Sequence, residues 1–155
     1  MREHPDHHDA ELMLRLYDLR REEKLRRARE WFVREFEAES LDDLLKRCPP
    51  GSEEDTYLRM TVSYWDMAAS IVNHGLVQEH FFFESNGELW LVWDKIRHLV
   101  PAVRERTKNP HAYGNLEALA ARYETWMEAR APGNLAVRRQ LIQAAVARKS
   151  SPAAQ

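Results

Sequence analysis

The stretch "VNHGLVQEHFFFES", residues 72 to 85, collects His74, His80, Glu79 and Glu84 around three consecutive phenylalanines. Imidazoles beside carboxylates are the donor set of zinc and iron centres and of general acid–base catalysis. The spacing argues against both uses. His74 and His80 lie six positions apart and need not share a face, and Glu79 and Glu84 lack the Glu-x-x-His spacing of carboxylate-bridged di-iron bundles. Asp94 and His98 form a second pair, at i and i+4, which suits a two-point metal grip or an acid beside a protonatable base. No nucleophile accompanies them in sequence, and an exposed pair at this spacing is more often a weak helix interaction. His74, His80, Asp94 and His98 are therefore weak metal or hydrolytic candidates. The expectation is a chain with no catalytic, metal or cofactor site, leaning away from an enzyme.

Two charged stretches raise other chemistries. His4, His7 and His8 with Asp6 and Asp9 offer metal donors, but a flexible polar tail supplies no preorganised geometry. Between Arg20 and Arg29, six of ten positions are Lys or Arg, which is the composition of a nucleic-acid face. Glu22, Glu23, Glu30 and Glu35 answer those charges at three- and four-residue steps, the pattern of a solvated helix surface. With a formal net charge of -2 there is no overall field to draw in a polyanion. Binding through the Arg20–Arg29 face stays the lesser alternative.

The phenylalanines carry a geometric problem. Successive helical residues point about 100° apart, so Phe81, Phe82 and Phe83 cannot all enter one core from one short helix. Together with Trp90 they are the expected interface, shared with a second subunit or a protein partner, because aromatic residues are enriched at interface cores. A homodimer is the simplest cover for such a patch.

The elements that position these groups read as helices. The 155 residues suit one domain, and 5 Gly with 7 Pro are too few for a many-stranded sheet protein. Asp9 is placed to cap a first helix bearing Leu12, Met13, Leu16 and Leu19, and a second carries Leu25, Ala28, Phe32 and Phe36. Ser40 opens "LDDLLKR", and "CPPGS" ends it. Ser52 then starts a long apolar helix over 53–73, closed by Gly75, which belongs at the centre of the bundle. Leu89, Val92, Trp93, Ile96, Leu99, Val100 and Val103 mark the next stripe, which Pro101 must kink or split between Val100 and Ala102. Two further helices follow, the last holding Leu135, Leu141, Ile142 and Val146. The expected architecture is all-α, a single-domain bundle of about six or seven helices. It has a polar N-terminal tail at 1–8, a helical domain at 9–148 and a frayed tail at 149–155.

"LYDLRREEKLRRAREWFVREF", "YWDMAASIVNHGLV" and "LWLVWDKIRHLVPAVRER" give the chain a resemblance to the bacterial family catalogued as domain of unknown function 4760, over about residues 12 to 130. The resemblance implies no activity. It implies an N-terminal membrane helix in many members, whereas this chain has the polar "MREHPDHHDAE" there and no run of ~18 apolar residues anywhere. Cys48 stands alone, as in proteins of reducing compartments. The expected protein is a cytoplasmic helical interaction or regulatory module without a transmembrane segment.

Overall fold

The computed structural model describes residues 2–150, and these form nine helices around one core. The centre is α4 (Glu53–Asn73), whose Val62, Trp65, Ala68, Ala69 and Val72 are buried. Its boundaries follow from local chemistry. Ser52 accepts the Asp55 amide at the N-terminus, where three acidic residues also complement the helix dipole. At the other end Gly75, at φ 73°, takes the left-handed position that a side chain would resist.

The alanines of α4 let two helices approach closely. On one side lies α2 (Glu23–Arg34), contributing Leu25, Ala28 and Phe32; on the other lies α8 (Gly114–Arg130), contributing Leu116, Leu119, Ala120 and Tyr123. Against this trio packs α6 (Glu88–Ile96), with Leu89, Trp90, Val92, Trp93 and Ile96 all buried. Smaller elements close the periphery: α1 (His7–Arg21), α3 (Leu41–Arg47), α5 (Glu79–Phe83), α7 (Val100–Thr107) and α9 (Asn134–Ser150).

Nine helices replace the expected six or seven for two reasons. "EHFFF" forms α5 on its own, capped by the Gln78 side chain, which accepts from the Phe81 amide. The Trp93 stripe also divides, and the break falls earlier than expected, at Arg97–Leu99 rather than between Val100 and Ala102. Pro101 has no amide hydrogen, and inside a helix its ring would strike the carbonyl of Arg97. The chain turns one residue group sooner, so Pro101 sits in the first turn of α7, where a missing donor costs nothing.

The N-terminus is corrected too. Asp6, not Asp9, is the cap of α1, and the two form a reciprocal capping box: Asp6 accepts from the Asp9 amide at 3.1 Å while Asp9 accepts from the Asp6 amide at 2.6 Å. Asp9 is wholly buried, and it also takes hydrogen bonds from Arg2 and from the Gln78 amide, both at 2.8 Å. Residues 2–9 are thereby tied to the turn after α4. The expected frayed tail at 149–155 falls mostly outside the described residues; α9 runs as far as Ser150.

Candidate functional site

The "EHFFFE" corner is held from both sides. Arg122 of α8 donates to Glu79 at 2.7 Å and to Asn73 at 2.6 Å, so α4, α5 and α8 meet on one guanidinium. Phe82 and Phe83 turn inward and are buried, Phe83 lying edge-on to Tyr123 at 5.3 Å and against Trp126 at 5.4 Å. Trp90 is likewise buried, its Nε1 donating to Glu124 at 2.9 Å while the guanidiniums of Arg138 and Arg139 cover its ring. Phe81 stays half-buried. Phe82, Phe83 and Trp90 thus pack into the chain's own core rather than lying at its surface, and of the expected interface group Phe81 keeps exposed area. Two adjacent phenylalanines both find the core because α5 lies in a fold of the chain, with α8 covering one side of it.

The histidines do not converge. His74 places Nδ1 2.8 Å from the Ser70 carbonyl, one turn back on its own helix, and His80 points outward from α5. A depression of about 730 Å³ opens beside His74, bordered by Arg2, Asn73, Glu79 and Arg122, but Arg122 already pairs with Glu79 and Arg2 with Asp9. Asp94 and His98 also separate, because α6 ends at Ile96 and takes His98 off its register. Asp94 engages Arg139 at 3.0 Å, whereas His98 Nε2 lies 2.7 Å from the Ala38 carbonyl. Among the described residues no three His, Cys, Asp or Glu side chains are grouped to hold a metal.

Much of the basic stretch is internally engaged. Arg29 grips Glu88 of α6 with two hydrogen bonds, Arg20 lies over Trp65 and Tyr17, Arg21 also covers Tyr17, and Arg27 pairs with Glu23. Within the cluster Arg29 joins α2 to α6 and to the end of α1, and Arg20 reaches α4, whereas Lys24, Arg26 and Arg27 stay exposed.

Among the described residues several apolar side chains stay open, Leu14 and Leu19 of α1 among them, and two features stand out. The first is a cleft of about 250 Å³ between α3, α4 and α7, floored by Phe36, Val62, Ile96 and Leu99. The second is the outer side of α9. That helix buries Leu135 and half-buries Ile142 and Val146 against the bundle, yet Val137 and Leu141 are 53% and 63% exposed. Arg138 and Arg139 turn inward, to Tyr123 and Gly87 and to Asp94 and Glu124 respectively. The exposed positions of α9 from Ala136 to Ala147 therefore carry no charge. A single sequence signal for this exists: the apolar residues Val137, Leu141, Ile142 and Val146 spread too widely for one buried stripe.

These observations define an all-α single-domain bundle with open apolar surfaces, in which the titratable candidates serve as caps and braces. The model of the family described as "Domain of unknown function (DUF4760)" matches residues 5–123, and the chain belongs to that family. No curated protein and no solved structure matches it. The matched span ends within α8, so α9 lies beyond it. Among the described residues no helix is long and apolar enough to cross a membrane.

Proposed function

We propose that this chain is a non-enzymatic helical interaction module, working inside the cell as a homodimer that associates through α9. The observation that supports it is the two-sidedness of that helix: one apolar face packs on the bundle, and a second, with Val137 and Leu141, is left to solvent. A surface helix of a self-contained domain carries one apolar stripe, and a second implies another cover. The occupant favoured here is a second copy. An uncharged face meets its own twofold image without like-charge repulsion, and charge depletion is the mark of an interface core.

Light scattering tests the reading. At micromolar concentration the parent should show twice the chain mass of 18.3 kDa, and Leu141→Glu should return it to one chain mass with its helical circular dichroism unchanged. A parent that stays at one chain mass at high concentration overturns the proposal.

A further inference from the structure

The cleft beside α3 is a separate site from the α9 face, and its walls carry an unusual combination. Leu41, Leu44 and Leu45 all lie on a seven-residue helix, face the cleft and stay only half-covered; no residue of α3 is buried. Leu58, Val103 and Tyr113 complete the apolar lining. The chain holds this shape at some cost. Tyr113 adopts a left-handed conformation at φ 59°, which a bulky side chain resists, and its hydroxyl makes no hydrogen bond among the described residues.

The polar groups lie at the exposed edge. Arg59 and Arg106 border the cleft and are exposed, whereas the floor residues are buried. Asp55, the acidic residue of the lining, accepts from the Gly51 amide at 3.0 Å and faces Arg59 at 3.3 Å. Arg106 has neither hydrogen bond nor ion pair among the described residues. The result is an apolar slot with an unanswered cation at its mouth.

We infer that this cleft binds a free anionic amphiphile with a single aliphatic chain, a medium-chain carboxylate, with the chain between α3 and α7 and the carboxylate at Arg106 and Arg59. Charge and size both select this occupant. A guanidinium presents paired donors to a carboxylate, and an apolar pocket with a few placed polar groups is the ordinary form of a small-molecule site. A cleft of about 250 Å³ suits one short aliphatic chain rather than a two-chain lipid, and octanoate is a probe of that kind.

Titration calorimetry of the full chain with octanoate, octan-1-ol and phosphatidylglycerol vesicles decides it. Octanoate should saturate one site per chain, with octan-1-ol weaker by about tenfold or more. Arg106→Ala should lower octanoate affinity by about tenfold and leave octan-1-ol unchanged. Leu44→Trp, at a half-exposed position, should fill the slot and remove both without lowering the thermal midpoint. The proposal fails if octanoate does not saturate the parent, if octan-1-ol binds equally well, if Leu44→Trp leaves binding intact, or if vesicles bind and octanoate does not compete. None of these outcomes bears on the mass measured by light scattering, so the two readings stand or fall apart.

Discussion

Glu88 and Arg29 form a two-pronged ion pair, Nε to Oε1 at 2.7 Å and Nη2 to Oε2 at 2.6 Å, across the joint between α6 and α2. Both side chains are largely shielded, and Glu88 Oε1 also accepts from Trp65 Nε1 at 3.1 Å. One carboxylate thereby fixes α2 and α6 to the central helix. Replacing it strands a guanidinium and an indole donor, so Glu88→Ala should lower stability by about 1.5–3 kcal/mol. Chemical denaturation with a midpoint equal to that of the parent would show the pair to be incidental.

Phe82 is fully buried on α5, which sets it apart from an interface residue. Phe82→Glu should therefore destabilise the fold by more than about 4 kcal/mol, since it buries a carboxylate with no partner. A variant with the parent's denaturation midpoint and half its mass would instead put Phe82 at the subunit contact.

Thr61 is buried in α4, and its Oγ1 has no hydrogen-bond partner among the described residues. Thr61→Val keeps the shape and removes an unsatisfied hydroxyl, so it should raise stability by about 1 kcal/mol. A fall of similar size would reveal a partner for that oxygen, such as a buried water.

Cys48 ends α3 inside the core, where burial, reinforced by the carboxylates of Glu54 and Asp55, pushes its thiol up to about 11 from an ordinary 9.0. Between those values the unfolded chain has lost the proton and the folded chain keeps it. The folded state therefore loses stability as pH rises from about 9 through about 11, and the contribution is fully present below about 9. Tyr64, whose hydroxyl donates to the Leu16 carbonyl at 2.7 Å, is pushed by burial from 10.0 to about 12 and adds a similar loss at higher pH. Denaturation midpoints of the parent should thus fall between pH 9 and pH 10 more steeply than those of Cys48→Ala. Equal slopes would mean that the thiol titrates normally.

How much of this was legible depended on whether the signal was local. Ser52, the acidic first turn and Gly75 delimit α4 within the sequence itself, and its apolar faces announce a central helix. The capping box of Asp6 and Asp9 was equally local, since "DHHD" has the required spacing, and taking Asp9 as the cap missed it. Pro101 signalled a break, but steric conflict one turn upstream decided where it falls. The covering of the phenylalanines was not local: it needs Tyr123 and Trp126, some forty residues away. The cleft is still less visible, because α3, α4 and α7 border it only after the bundle has assembled. The Asp94–His98 pair failed for the opposite reason, a local spacing undone by the end of its helix.

Disulfide trapping at α9 tests the dimer most directly. Leu141 on α9 and Leu14 on α1 are 63% and 66% exposed, so in a Cys48→Ala background Leu141→Cys and Leu14→Cys present equally accessible thiols. If copies meet through α9, mild oxidation at micromolar concentration should convert most of the Leu141→Cys protein to a covalent dimer and leave the Leu14→Cys protein as single chains. Equal yields from the two variants, or no dimer from Leu141→Cys, would contradict association through α9.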